Sequence, residues 1–459
     1  MKVCKFGGTS VASAQQIQKV AAIVQSDPSR RIVVVSAPGK RFSEDIKVTD
    51  LLIELGQASL AGEEVEAPLA KVVQRYAQIA EELNLGPDIA GVIKTDIWSR
   101  LTADKGNEEL YMDRIKASGE DNSAKLIAAY FMSIGLSAEY INPRDAGLVV
   151  NDLPSRAQAL PESYERLAEL QNRESISVFP GFFGFTADGM LRTFERGGSD
   201  ITGSILAAAV KAELYENFTD VDCVFAANPR VVDNPAEIEK MTYREMRELS
   251  YAGFAVFHDE ALMPAFKESV PVCIKNTNNP AAAGTMIVTE RDFSERPVTG
   301  ISADSGFSTL YVSKYLMNRE IGFGRKLLQI LEDECVSYEH IPSGIDNLSV
   351  IIRSHQLTPE KEARIVQRVK YELHADDVHM RSDFSMVVLV GEGMNNTTGL
   401  AARAANAIAR TGANIEMINQ GSSEVSLVFG VLKHDETKIL RELYQEFFEP
   451  AQIKVQALV

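Results

Sequence analysis

Much of what this chain lacks narrows what it can be. No run of about 18 apolar residues occurs, so no membrane span is expected. The first residues lack a basic stretch followed by an apolar one, which argues against a secretion signal. Cysteine is scarce, with four in 459 residues, and Cys4, Cys223, Cys273 and Cys335 are far apart with no C-x-x-C pair. That usage reads as reduced thiols in a cytosolic, cytoplasmic protein. The six histidines show no metal-ligand spacing, so no protein-held metal site is expected. A net charge of −17 is the opposite of the basic excess that nucleic acid requires. It also means that a site for an anionic substrate must gather its own positive charge. There is no Walker loop and no Ser-His-Asp or His-centred pattern. Composition is otherwise ordinary for a globular chain, at 45% hydrophobic and 24% charged.

What is present begins at Lys5-Phe-Gly-Gly-Thr-Ser10, between an apolar start read as a buried strand and a helical pattern over residues 11–26. Two glycines let backbone amides approach an anion. Thr9 or Ser10 is expected to cap the helix, and its N-terminus adds partial positive charge. Lys5 brings a full charge to the same place. The run at 31–37 reads as a parallel strand buried on both faces. Helices are expected from Thr49-Asp50 and over 65–83, then across 88–118, with a break at Ser118-Gly119-Glu120 and a new helix over 122–134. Strands are expected at 139–141 and 175–179. The run 180–185 reads as an apolar turn whose aromatics could wall a pocket.

Arg196-Gly-Gly-Ser-Asp200 is a second anion-binding design: an arginine, two glycines, a Ser cap and an Asp in the first helical turn. The helix that follows is rich in small residues, which permits close packing on a sheet. A strand at 213–218 then feeds the polar loop Thr219-Asp220-Val221-Asp222, followed by Asn228-Pro229-Arg230. Such a loop at the carboxyl end of a parallel strand is where α/β sheets hold ligands. Strands at 270–275 and 285–288 close this block, and the boundary falls at 291–297.

The last 160 or so residues contain a repeat. Residues 322–351 align without a gap to 399–428, an offset of 77 that matches Glu339 to Glu416, Gly344 to Gly421 and Ser349 to Ser426. Each copy reads as a βαββαβ ferredoxin-like module.

Together these motifs resemble the aspartate kinases (aspartokinases). Lys5–Ser10, Ser36, Thr49, Ser118-Gly-Glu120, Arg196–Asp200, Thr219-Asp220 and Asn228-Pro-Arg230 occur in the family's order. The repeat looks like the family's two ACT regulatory domains. The likeness spans the whole chain and is to the monofunctional form. It implies an α/β amino-acid-kinase fold, a three-layer αβα sandwich with a mostly parallel open sheet over residues 1–295. Two ferredoxin-like (ACT) α+β modules would follow, over 298–383 and 384–459.

It further implies ATP-dependent phosphorylation of the L-aspartate β-carboxylate to 4-phospho-L-aspartate, with Mg²⁺. That is the first step toward lysine, threonine and methionine. Lys5 and Asp200 would be catalytic. Ser36, Thr49, Glu120, Arg196 and Ser199 would bind aspartate. Lys5, Gly7, Gly8, Thr9, Thr219, Asp220, Phe225 and Arg230 would bind nucleotide. An amino-acid effector, lysine alone or with threonine, would meet Met317, Glu320, Gly322, Phe323, Gly324, Ser337, Tyr338 and Glu339. Pairing through the ACT modules would give a homodimer or homotetramer, with no nucleic acid or membrane partner.

The chain departs from the family pattern at Phe225, where many relatives have Tyr, and at Asn228, where they have Asp. Ala255 stands where a lysine would contact nucleotide, and Lys267 and Lys275 are candidate replacements. Two rival readings compete. One is a kinase of the same fold acting on glutamate, acetylglutamate, UMP or carbamate. The ACT pair and Ser118-Gly-Glu120 argue against it. The other is a catalytically silent amino-acid sensor of the same fold, against which Lys5, Arg196 and Asp200 stand.

Overall fold

The computed structural model describes residues 1–254, 261–294, 296–421 and 425–449. The chain divides into two compact units. The first comprises Met1–Val224, Glu237–Met246 and Ala255–Arg291, the second Phe225–Ala236, Arg247–Phe254 and Asp292–Val459.

The first unit is built on an eight-stranded sheet. At its centre lies β1 (Lys2–Phe6), flanked by β2 (Arg30–Val35) and by a strand at Leu214–Thr219. Outside β2 come Ile176–Pro180 and Ala138–Tyr140. Outside the other flank come Val272–Asn276, Thr285–Val288 and Lys240–Thr242. Pairing is parallel except between Val272–Asn276 and Thr285–Val288. Val3, Cys4 and Phe6 of β1 and Ile32–Val35 of β2 are fully buried, as a continuous apolar run in a sheet covered on both faces requires.

One face carries α1 (Ala14–Gln25), α2 (Val48–Ala61), α3 (Glu66–Glu82), α4 (Asp88–Leu101) and α5 (Glu108–Ser133), whose apolar stripes form one core with Cys4, Phe6, Val33 and Val35. The helix Gly198–Ala209 packs on β1, β2 and Leu214–Thr219. Its Gly203 lies against the Tyr215 ring, where a side chain would collide, so small residues do bring this helix close to the sheet.

Four local expectations change. The first helix starts at Ala14 with Ser13 as its cap, and Thr9 and Ser10 lie in a preceding 3-10 turn, Gly8–Val11. The Gly198 helix is capped by Gly197 at φ 83°, so Ser199 sits inside its first turn. Finally, α5 runs unbroken through Ser118-Gly119-Glu120 for 26 residues. Gly119 marks a close approach: a Cβ there would stand 2.8 Å from the Ala37 Cβ and 3.2 Å from Leu52 Cδ1. Residues Phe183–Phe185 are also a strand, hairpinned to Leu191–Thr193.

The second unit holds a five-stranded antiparallel sheet in the order Asn347–Arg353, Gly300–Ser313, Asp377–Val390, Ser426–Leu432, Met417–Gln420. Helices Phe323–Asp333 and Pro359–Glu372 recur 77 residues later as Leu400–Arg410 and Glu436–Phe448. Gly322 and Gly399 cap equivalent helices at φ 81° and 85°, a left-handed conformation that favours glycine. The two long strands pair from Gly300↔Val390 to Ser313↔Asp377, with irregularities between Ser305 and Thr309. Residues 300–305 therefore lie beside the second repeat's first strand, and 307–313 beside residues of the first. Among the described residues no helix is long and apolar enough to cross a membrane.

Gly119→Ala separates two effects. Helix propensity alone predicts stabilisation by about 1 kcal/mol. The contact with Ala37 predicts a net loss of about 1–3 kcal/mol, as overpacking gives. A lower melting temperature is expected in thermal unfolding, and a higher one would show that α5 has room to move outward.

Candidate active site

The chain passes from β1 outward through β2 toward one edge, then returns to the opposite side of β1 at Leu214–Thr219. In open α/β sheets, ligands bind at such a switch point, beyond the carboxyl ends of the strands. Lys5 and Asn217 sit in register on these neighbouring strands. Both reach the first turn of the Gly198 helix. Lys5 Nζ pairs with Asp200 Oδ1 at 2.5 Å, and Asn217 Nδ2 donates to the same oxygen at 2.5 Å. Lys5 is 7% exposed. A buried cation with one anionic partner at a strand end retains capacity for a second anion.

Gly7, Gly8 and Thr9 follow Lys5. The Gly7 amide donates to the Phe218 carbonyl at 3.1 Å and is spent on the sheet. Gly8 and Thr9, at the start of the 3-10 turn, carry amides without an intrahelical partner. Gly8 is packed against Gly39, whose amide donates to the Gly8 carbonyl at 2.8 Å. Gly39 is held in turn by the buried Arg75, and Arg75 pairs with Asp45. Ser10 and Thr277 share a buried hydroxyl–hydroxyl hydrogen bond of 2.7 Å.

Beside this cluster stands Glu120. Its side chain is 6% exposed, and Oε2 is buried with no hydrogen-bond partner. Burial disfavours its charged form and raises its pKa from 4.5 to about 7, against hydrogen bonds from the Ala37 and Glu120 amides that pull the other way. An acceptor of this kind calls for a cationic donor. Nearby, Gly181 lies against Ser199, where a Cβ would meet Ser199 Oγ at 2.5 Å. Phe182 adopts φ 79°, an outlier for a bulky residue, and its amide donates to Thr202 Oγ1 at 3.0 Å. Ser36 continues β2, its amide donating to the Phe6 carbonyl at 3.2 Å, and Thr49 lies in the first turn of α2. Arg196 is exposed, just before the helix cap.

Of the expected nucleotide residues, Thr219 and Asp220 extend the strand that carries Asn217, and the Thr219 hydroxyl donates to Asp220 at 3.2 Å. Phe225 and Arg230 belong to the second unit. The segment with Ala255 lies outside the described residues. Lys275 donates to the Ala282 carbonyl at 3.1 Å, and Lys267 ends a short helix. Among the described residues no group of three or more His, Cys, Asp or Glu could hold a metal ion.

The expected effector residues do not form one cluster within the chain. Met317–Gly324 lies before the helix Phe323–Asp333 and in its first turn, and Ser337–Glu339 follows its other end, about 16 Å away along the axis. Glu320 pairs with Lys314 and Lys326, Phe323 is buried, and the Ser337 amide and hydroxyl donate to Gln356. Tyr338 is exposed. Glu339 accepts from Arg353 at 3.3 Å and from the Tyr251 hydroxyl.

An open sheet with a lysine–aspartate pair at its switch point and a duplicated regulatory-type module defines an amino-acid kinase. Residues 1–276 match the amino acid kinase family and residues 387–447 match the ACT domain. Aspartokinase 3 of Bacillus subtilis is 56% identical over 98% of this chain and 99% of its own. The aspartate kinase structure from Clostridium acetobutylicum, 36% identical, superposes with a TM-score of 0.87 over 97% of this chain and 100% of that one. An Escherichia coli aspartokinase III structure, solved with aspartate and ADP, shares the fold at 24% identity, with a TM-score of 0.79 over 98% of this chain and 100% of that one. The chain belongs to the aspartokinases.

The raised pKa of Glu120 has a signed consequence. The native state holds this proton more tightly than the unfolded chain, so the residue's contribution to stability falls as pH rises from 4.5 toward 7. Glu120→Gln should gain on ligand-free wild type as pH rises, from little at pH 5 to on the order of 3 kcal/mol at pH 8. Denaturant unfolding at the two pH values measures it, and a pH-independent difference would refute the assignment.

Proposed function

We infer that this protein transfers the γ-phosphoryl group of ATP to the β-carboxylate of L-aspartate, giving 4-phospho-L-aspartate. The Lys5–Asp200 pair at the switch point, with the buried Glu120 carboxylate whose Oε2 has no hydrogen-bond partner, carries the reading. The acceptor carboxylate, with a reference pKa of about 3.9, is already ionised at neutral pH, so no general base is needed. The barrier is the approach of two anions. Lys5 supplies positive charge where the phosphoryl group passes, the Gly8 and Thr9 amides add oriented dipoles, and Asp200 with Asn217 holds the Lys5 ammonium in place.

Glu120 would receive the substrate ammonium, losing its proton as it does so below pH 7. Arg196 would take the α-carboxylate by its bidentate fork. Ser36, Thr49 and Ser199 line the same end. Thr219, Asp220, Phe225 and Arg230 are the residues proposed for the nucleotide. The donor set fits a hard cation carried in on phosphate oxygens, with Asp200 the protein carboxylate that would hold it. Bound Mg²⁺ would neutralise charge on the transferring phosphate.

The catalytic domain is read as 1–295 and the modules as 298–383 and 384–459, with residues 300–305 lent to the second module's sheet. The free cysteines fit a reducing cytoplasm. The effector stretches flank opposite ends of one helix, which favours a site assembled between modules of two copies in a homodimer or larger oligomer. Lysine, alone or with threonine, is the proposed inhibitor, acting by preferring a less active state.

Two experiments test this. Lys5→Ala should fold normally but lose about 10²–10³ in kcat for aspartate-dependent ADP release. Near-normal turnover would displace Lys5 from the reaction. Millimolar lysine should inhibit the full-length enzyme and give a heat of binding by calorimetry. Neither effect would leave the repeat as an assembly device.

A further inference from the structure

Asp113 is a buried carboxylate outside the residues assigned above. It lies on α5 two turns before Glu120, about seven residues at 3.6 per turn, on the same side of the helix. Its side chain is fully buried. Oδ2 accepts from the amides of Ser155 and Thr193 at 3.0 and 3.1 Å, and Oδ1 accepts from their hydroxyls at 2.8 Å each. Lys116 Nζ adds an ion pair at 3.0 Å and donates to Ser155 Oγ at 2.8 Å. Asp113 thus ties α5 to the end of the strand Leu191–Thr193, and Thr193 lies three residues before Arg196. Around the clamp, Ala117 of α5 packs on Phe183 and Leu191 of the hairpin. The Phe194 amide then donates to the Phe182 carbonyl at 2.8 Å, leading the chain directly into Arg196-Gly-Gly.

We propose that Asp113 is a positioning residue for amino-acid recognition, fixing the span between Glu120 on α5 and Arg196 beyond the hairpin. The inference rests on the reading that these two groups grip the substrate's ammonium and carboxylate. A zwitterion has a fixed separation of charges, so the two protein groups must stand at a matching separation. The only charged tie between their supporting elements is this carboxylate, engaged by four donors and an ammonium among the described residues. Small displacements of binding groups are costly to affinity and rate. The phosphate side hangs on β1 and on Leu214–Thr219, which Asp113 does not touch, so the two substrates should respond differently.

The test is steady-state kinetics of the full chain with aspartate and ATP varied in turn, alongside thermal melts. Asp113→Asn keeps the shape, but it removes the charge that faces Lys116 and turns an NH2 group toward the two hydroxyls that donate to the carboxylate. It should raise the aspartate KM by about tenfold or more and leave the ATP KM within about twofold. Thr193→Val removes one hydroxyl donor and should shift the aspartate KM in the same direction by less. Should the Asn variant fail to fold, Thr193→Val decides alone. Arg196→Lys is the reference, because a point charge cannot replace a bidentate fork and the aspartate KM should rise. If Arg196→Lys leaves that KM unchanged, the substrate reading itself fails. If Arg196→Lys raises it while Asp113→Asn and Thr193→Val alter only the melting temperature, or move both KM values equally, the positioning role is overturned.

Discussion

The ion pair between Lys5 and Asp200 ties together the two glycine-rich corners of the catalytic unit. One end belongs to the central strand of the sheet and the other to a helix on its face. An ammonium this deeply buried is tolerable only with a partner, and the cost of desolvating both charges is met by short contacts and by the amide of Asn217. The pair is therefore weak evidence for stability and better evidence for function. It holds a positive charge, at some expense, where a chain of net charge −17 would otherwise repel an anion.

The geometry around that pair depends on close backbone approaches more than on long side chains. Gly8 against Gly39, Gly119 against Ala37, Gly181 against Ser199 and Gly203 against Tyr215 each remove a side chain where two elements meet. Together they draw α2, α5 and the Gly198 helix in around the strand ends. The result is close main-chain packing around the strand ends that carry the Lys5–Asp200 pair. Glu120 fits this plan: it is carried by the tightly packed α5, and its Oε2 is buried with no hydrogen-bond partner.

Much of this was legible in the residues. The strand–glycine–helix corners at Lys5 and Arg196 follow from short-range chemistry, and the duplication follows from hydrophobic periodicity at a fixed offset. What escaped was long-range. Gly119 reads as a helix break because a glycine's packing role depends on Ala37, 82 positions away in the chain. Asn217 and Asp113 look like ordinary polar positions in a strand and a helix. Their only signal is a polar residue at a buried register, and their partners become visible once the sheet and hairpin are assembled. The expected effector stretches show the converse, being similar to a family pattern yet separated by a whole helix in one chain.

The interleaving of the two C-terminal repeats bears on how the protein is made. Residues 300–305 emerge from the ribosome before the first repeat, yet their partners on the neighbouring strand are Ser385–Val390. Until that strand appears, an early segment must wait as an unpaired edge while the first repeat can close its own local contacts. The second repeat's sheet is thus finished by a segment made before the first repeat. This raises the contact order of the sheet and slows its closure. A fragment starting at the second repeat would lack an edge strand, so the unit tolerates interruption poorly at the point where its sequence looks most divisible.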